Sequence, residues 1–297
     1  MKVLVTGASG YIGRVTCRYL LEHGHAVTPW LGRVVDLTDT ARVYAKVNNG
    51  WAPEAVVHLA GRSTVRESFT DPLGYFDTNS AGTMRLLRAL ERRHARVPFV
   101  LASTSAVYGN REGALTETMA PGPDGPYASS KFAAEDLVRW ASAAGMVSGM
   151  VLRLFNVAGV AHGVVDQSQT RIVGNVVRAA AGLIPHVSVN GDGSVQREFT
   201  HVLDVVEAIR LALECARPGE AETLNIGSGV PVSMNDVIRT VETVCKSPVP
   251  VEYRPAVSEP QSLVSDPRRA ADVLDWCARH DLASIVASVW EHRDQLG

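Results

Sequence analysis

Cysteine is scarce in this sequence: Cys17, Cys215, Cys245 and Cys277 are the four among 297 residues. They lie far apart and without metal-ligand spacing, so a disulfide-stapled scaffold and a zinc knuckle are excluded; they read as reduced, mostly structural thiols. Net charge is nearly absent too, at −2. No overall basicity therefore argues for a nucleic-acid partner. Apolar runs all fall well short of a bilayer span, so no membrane partner is expected. Nor does a basic-then-apolar leader open the chain, which starts directly on the strand-like Val3-Leu-Val5. These absences point to a cytoplasmic protein with no bound metal. Hydrophobic residues, by contrast, make up 46% of the chain, enough for a sizeable core. The length suits one large α/β domain, or one with a smaller appendage.

Lys2-Val-Leu-Val-Thr6 reads as a buried strand, and Gly7-Ala-Ser-Gly10-Tyr11-Ile12-Gly13 follows it directly. A helix comes next, with Ile12, Val15, Thr16, Tyr19 and Leu20 on one stripe. Strand, glycine turn and helix in that order suit a dinucleotide. The glycines let the backbone approach a pyrophosphate, and the helix N-terminus offers amide donors. The second strand, Ala26-Val-Thr-Pro-Trp30, ends without the acid expected to grip the adenosine ribose. Arg33 beyond it suits either a 2′-phosphate or a solvated loop. Val34-Val-Asp36-Leu-Thr-Asp39 reads as a third short strand and its turn, with Asp36 a plausible adenine contact and Asp39 a helix cap.

Ala55-Val-Val-His58-Leu59-Ala60-Gly61 reads as another buried strand ending in small residues, with His58 a satisfied core histidine. A helix is expected over residues 77–92, with Asn79 near its start. Pro98-Phe-Val-Leu-Ala102 then delivers Ser103-Thr104-Ser105 to its C-terminal end, the edge of a parallel sheet where ligands bind. Tyr127-Ala-Ser-Ser-Lys131 follows Pro126, so tyrosine and lysine lie one turn apart on a helix whose buried stripe reads Ala133, Leu137, Trp140, Ala141 and Ala144. The same spacing also arises by chance on surface helices. Its chemistry is a phenolate base: free tyrosine titrates near ~10, and a neighbouring ammonium favours the charged form. Met150-Val-Leu-Arg-Leu-Phe155 is a sixth strand, ending at Asn156. Beyond it lie loops, Arg197 as a cation suited to a diphosphate or a surface ion pair, and Asp204 as a helix cap.

The fold expected is α/β: a Rossmann-type doubly wound parallel sheet over residues 1–155, to which 197–217 return. Residues 156–297 otherwise form mainly a smaller C-terminal substrate-binding lobe.

The chain resembles the extended short-chain dehydrogenase/reductase family, in its NAD-dependent epimerase/dehydratase branch. The resemblance rests on the glycine turn, His58-Leu-Ala-Gly61, Ser103-Thr-Ser-Ala-Val-Tyr-Gly109, the Tyr127 and Lys131 motif and Arg153-Leu-Phe-Asn156. Arg197-Glu-Phe-Thr-His-Val202, Asn225-Ile-Gly-Ser-Gly229 and Ser265-Asp-Pro-Arg268 extend it over essentially the whole chain. Within the branch, Val65-Arg-Glu-Ser68, Asp71-Pro-Leu-Gly-Tyr-Phe-Asp-Thr-Asn79 and Asp281-Leu-Ala-Ser-Ile-Val286 are most similar to the UDP-galactose 4-epimerases.

That resemblance implies NAD as cofactor, a UDP-sugar substrate and a homodimer through helices near residues 82–94 and 131–144. It makes Tyr127 the base, Lys131 the residue that holds the nicotinamide ribose and lowers the tyrosine's pKa, and Thr104 the partner hydroxyl. Cofactor contacts are implied for Gly7, Gly10, Tyr11, Ile12, Gly13, Asp36 and Leu37. Leu59, Ala60, Gly61, Asn79 and Ser103 join them. Substrate contacts fall to Thr104, Ser105, Asn156, Val173, Arg197, Arg254 and Glu259. The implied reaction inverts C4 of a UDP-hexose through a 4-keto sugar that turns over and is reduced on its other face. Ser105 and Ala106 stand where dehydratases and decarboxylases of the branch carry acids, so elimination is disfavoured. The alternative is an NADPH-dependent 4-keto nucleotide-sugar reductase, suggested by the missing ribose acid and Arg33. Ser63 stands where the branch has a phosphate-reaching lysine, with Arg62 beside it. The sugar itself stays open between glucose, glucuronate and N-acetyl forms. The hydroxyls of Ser103, Thr104 and Ser105 make UDP-glucuronate a serious candidate.

Overall fold

Residues 1–32, 36–48, 52–93 and 96–297 are described by the computed structural model. Its frame is a six-stranded sheet in the order Ala221–Ile226, Ser148–Leu154, Pro98–Thr104, Ala55–His58, Lys2–Thr6, Ala26–Trp30. Every neighbouring pair runs parallel. Strands covered on both faces must be apolar nearly throughout. Val3, Leu4 and Val5 of one central strand and Ala55, Val56 and Val57 of its neighbour are accordingly all buried. Successive side chains alternate between two cores. Val3, Val5, Val57, Val100 and Leu152 meet Val205 and Ile209 of the helix Val202–Cys215 on one face. Leu4, Val56, Phe99, Leu101 and Val151 meet Leu86, Leu90, Ala134 and Val138 on the other.

The sheet takes in more of the C-terminal half than residues 197–217. Ala221–Ile226 forms its outermost strand, beside Ser148–Leu154, and Leu274 and Trp276 pack into the first core. A third core gathers Val173, Val177, Val237, Val241, Ile285 and Val286 from the helices Ile172–Ala180, Met234–Cys245 and Leu282–Glu291. Two of these helices are capped by their own sequence: Ser233 and Asp236 form a reciprocal capping box, and Asp281 accepts from Ser284 N. Among the described residues, no helix is long and apolar enough to cross a membrane.

Three local expectations are corrected, and a fourth, the short strand and turn over 34–39, is described only in its turn. Arg33, Val34 and Val35 lie outside the described residues, and Asp36–Asp39 is a turn in which Asp36 accepts from the amide and hydroxyl of Thr38 at 2.9 and 2.8 Å. The helix expected over 77–92 starts earlier, at Pro72 with Asp71 as its cap, and passes through a wide π turn, Asp77–Ala81, before Gly82–Glu91. Asp204 does not cap its helix: His201 does, accepting from Leu203 N at 3.1 Å, while Asp204 holds His280. The helix Pro126–Ala143 buries Ala134, Val138, Ala141 and Ser142 and leaves Trp140 on the outside, 64% exposed. The helix rides so close to the strand that a Cβ at Gly149 would meet Val138 Cγ1 at 2.7 Å. Only small side chains fit that seam, so the tryptophan faces outward.

Candidate active site

Chain order reverses between Lys2–Thr6 and Ala55–His58: the chain builds outward to Ala26–Trp30, then returns to the opposite side of the first strand. Carboxyl ends of strands splay at such a switch point and leave a crevice. Gly7 fills the narrow part of it with φ +69°, and a Cβ there would lie 2.6 Å from Ala60 N. At Gly13 a Cβ would stand 2.9 Å from Ala8 Cα. Gly10 precedes the helix Tyr11–Glu22 without a side-chain cap, so the helix's first amides remain available to an anion. This cradle fits a dinucleotide pyrophosphate.

The crevice opens into a cavity of about 1110 Å³. Pockets for one ligand commonly span about 300–1,000 Å³, so this one has room for a dinucleotide and a second ligand beside it. Gly7, Gly10, Tyr11, Ile12, Gly13, Leu59 and Gly61 line one half. Ser103, Thr104, Ser105, Tyr127, Lys131, Asn156 and Arg254 line the other. The cavity thus brings together residues dispersed over most of the sequence.

Tyr127 stands in that wall, edge-on to Tyr75 at 6.3 Å between ring centroids, with Arg62 over the Tyr75 ring at 4.3 Å. Burial pushes the Tyr127 phenol above its ordinary range; its hydrogen bond with Thr104 and the charge of Arg171 draw it back down. The Lys131 ammonium lies towards Gly61 and Asn79. Burial brings Lys131 down to about 8, opposed by the carboxylate of Glu135 one turn further on.

Glu135 is itself buried and fully engaged. Ser103 Oγ donates to it, and Arg153 grips it through Nε at 3.1 Å and Nη2 at 2.7 Å. Arg153 in turn lies over the Tyr108 ring at 4.8 Å, whose hydroxyl donates to Asn225 at 2.7 Å. The helix bearing Tyr127 and Lys131 is thereby tied to two strands of the sheet. Glu135 was missed in the sequence because an acid on a helix reads as solvated; only its i, i+4 spacing from Lys131 hinted otherwise.

Other expected residues stand elsewhere. Asn79, in the π turn, accepts from Arg62 N at 2.8 Å and donates to Arg62 O at 3.1 Å and Ser130 Oγ at 2.9 Å. It shapes the Gly61 turn and does not line the cavity. Ala60 N donates to Thr6 Oγ1 at 3.2 Å, and Leu37 O accepts from Arg85 Nη1 at 3.2 Å. Val173 lines a separate cavity of about 30 Å³ next door. Arg197 is paired with Glu259 and donates to Gln196 O and Pro260 O. His58 is the core histidine expected: Nδ1 meets Thr6 Oγ1 at 2.7 Å and Nε2 meets Thr83 Oγ1 at 2.9 Å. Burial, then the charge of Lys131, lowers it to about 3. Arg171, which faces the cavity and acts on Tyr127, carried no pattern in the sequence that would single it out.

Residues 3–227 match the model of the NAD dependent epimerase/dehydratase family. The chain is 33% identical to a UDP-glucose 4-epimerase of Corynebacterium glutamicum, covering 100% of this chain and 97% of that protein. The crystal structure of UDP-glucose-4-epimerase from Stenotrophomonas maltophila, with bound NAD and formylated UDP-arabinopyranose, superposes with a TM-score of 0.91 at 31% identity, covering 99% and 98% of the two chains. MoeE5 in complex with UDP-glucuronic acid and NAD gives a TM-score of 0.84 at 30% identity, covering 99% of both. The chain belongs to the NAD dependent epimerase/dehydratase family.

Proposed function

We propose that this protein is a nucleotide-sugar 4-epimerase that inverts C4 of a UDP-hexose, with NAD as its cofactor. The observation that carries the reading is that Tyr127, Thr104 and Lys131 line one cavity with room for two ligands, opposite the glycine cradle. Relatives and solved neighbours that bear the epimerase name along nearly their whole length support it.

The glycine cradle and the uncapped helix start would hold the NAD pyrophosphate, and Lys131 the nicotinamide ribose. Bound there, NAD supplies the acceptor and later the donor of the C4 hydrogen with its electron pair. Tyr127 takes the proton from the sugar's O4 as that hydrogen leaves. Thr104 bonds the same oxygen and keeps the phenol aimed at it. When the ketone has turned its other face, Tyr127 returns the proton to O4. The electrostatics match this cycle. A phenol pushed up by burial is a strong base once deprotonated, and it needs a nearby positive charge to ionise near neutrality. Ser105 and Ala106 put no acid beside C5 and C6, so the sugar is not drained into elimination. Asn156 and Arg254 are assigned to the UDP half, with Arg197 and Glu259 reaching it only if their pair opens.

The same reading assigns residues 1–155, with the returning segments, to cofactor binding and most of 156–297 to the substrate. It also makes the protein a cytoplasmic homodimer. The reductase alternative draws on the strand Ala26–Trp30, which ends without a carboxylate for the ribose hydroxyls.

Two measurements test the assignment. Mass spectrometry of small molecules released on denaturation should find NAD with a UDP-sugar; NADP would favour the reductase. Tyr127→Phe should lower kcat for interconversion of UDP-sugars roughly 10²–10⁴-fold. Unchanged turnover would remove Tyr127 from the chemistry.

A further inference from the structure

We propose that Arg178 is a positioning residue: it fixes residues 166–171 as a wall of the substrate half of the cavity, so that nucleotide-sugar binding depends on a side chain that does not itself line the cavity. This rests on the epimerase reading and deepens it. The segment between the strand Asn156–Ala158 and the helix Ile172–Ala180 brings Asp166, Ser168, Gln169, Thr170 and Arg171 into the cavity wall, and Asn175 follows from the first turn of the helix. Asn156, at the root of the segment, lines the same cavity.

Residues 166–171 form neither strand nor helix. Behind them lies the cavity of about 30 Å³, with Ser168 and Arg171 on one side and Val289 and Leu296 on the other. Atoms that face a gap have no partners across it, so apolar packing does not press the segment into place there. Its position is set by hydrogen bonds instead, and Arg178 supplies the inner ones. Nη1 donates to the Ser168 carbonyl at 3.1 Å and to Asn175 Oδ1 at 3.0 Å, while Nε donates to the Leu296 carbonyl at 2.9 Å. Leu296 is itself buried in the third core, so the guanidinium hangs the segment from the interior of the lobe. Asn175 passes the constraint along, its Nδ2 donating to the Gln169 carbonyl at 2.8 Å. On the exposed side, Gln167 Nε2 adds a parallel tether to the Gln295 carbonyl at 2.9 Å.

Arg178 is 5% exposed, and among the described residues it pairs with no carboxylate. A buried cation without an acid is costly unless fixed acceptors compensate it. Here the compensation comes from three oxygens in different parts of the chain, which only a rigid fork of donors reaches together. Without that fork the wall would hold its binding position for only part of the time, and apparent affinity falls by the same fraction. Once a substrate is seated, the chemistry at Tyr127 would run as before. Loss of Arg178 is thus a loss of binding, with turnover kept.

The test compares wild type with Arg178→Met, Arg178→Lys and Gln167→Ala. The readouts are calorimetry of UDP on the NAD-loaded protein, kinetics with UDP-glucose and UDP-glucuronate, and the rate of trypsin cleavage after Arg171, followed by mass spectrometry. Arg178→Met should weaken UDP roughly 10- to 100-fold, as a wall in place about a tenth to a hundredth of the time would, and raise KM to match while kcat stays within about threefold. Cleavage after Arg171 should quicken in the same variant. Arg178→Lys keeps the charge without the fork and should recover part of the affinity. Should Arg178→Met fail to fold, Gln167→Ala decides: it removes one exposed hydrogen bond and should weaken UDP about 2- to 5-fold. Unchanged UDP affinity would overturn the proposal, as would a fall in kcat with KM unmoved. Weaker NAD binding with UDP unaffected would also overturn it, by placing the segment on the cofactor side. If wild type binds no UDP and turns over neither sugar, the epimerase reading fails, yet faster cleavage in Arg178→Met still decides whether Arg178 holds the wall.

Discussion

Lys131 shows how this site trades stability for chemistry. The residue is 7% exposed, and its pKa is brought down from 10.5 to about 8, with burial the main cause. A lysine whose folded pKa lies below its unfolded value opposes folding wherever it is charged in both states. The sign follows: the cost is present in full below about 8, shrinks between about 8 and 10.5, and vanishes above. Removing the charge should therefore stabilise the fold at neutral pH. Lys131→Met is expected to gain about 3 kcal/mol at pH 7, by the usual conversion of pKa shifts to free energy, and nothing above about pH 10.5. Denaturant melts of both proteins across that range check this. A variant no more stable than wild type at pH 7 would contradict this account, because the value of about 8 already includes the opposing pull of Glu135. Residues such as Gly7, Tyr127 and Lys131 were legible in the sequence because turn and helix spacing are local rules. Arg171 and the Arg197–Glu259 pair were not, because their neighbours are set by loops meeting in space.

At the scale of elements, the helix Pro126–Ala143 carries Tyr127 and Lys131, and it packs in a tight seam against Ser148–Leu154. The apolar period read from the sequence placed Trp140 inside, but packing distance outweighed hydrophobicity there. Polar Lys131 and Glu135 took inner positions, which period analysis scores as outward. The strands were read well, since runs of Val, Leu and Ile buried on two faces leave no other choice. Ala221–Ile226 was harder: Glu222, Thr223 and Asn225 interrupt an edge strand that only its partner Ser148–Leu154 reveals. The seam gives a direct test. A Cβ at Gly149 would crowd Ser142 as well as Val138, so Gly149→Ala should destabilise by about 1–3 kcal/mol. An unchanged denaturation midpoint would show that the helix has slack, and the account of the outward tryptophan would fall with it.

For the molecule as a whole, sheet and lobe meet over one cavity, and function turns on what fills it. The glycine cradle lines it together with Asn156 and Arg254. Tyr127 lines the same cavity. The central claim is that this tyrosine works on a sugar whose C4 hydrogen leaves and returns within the site. Incubating the purified protein with C4-deuterated UDP-glucose and, in parallel, C4-deuterated UDP-glucuronate, and following the products by NMR, tests it most directly. The account predicts the C4 epimer of at least one of them, with deuterium retained at C4. Loss of the label to water, or no epimer from either sugar, would contradict it.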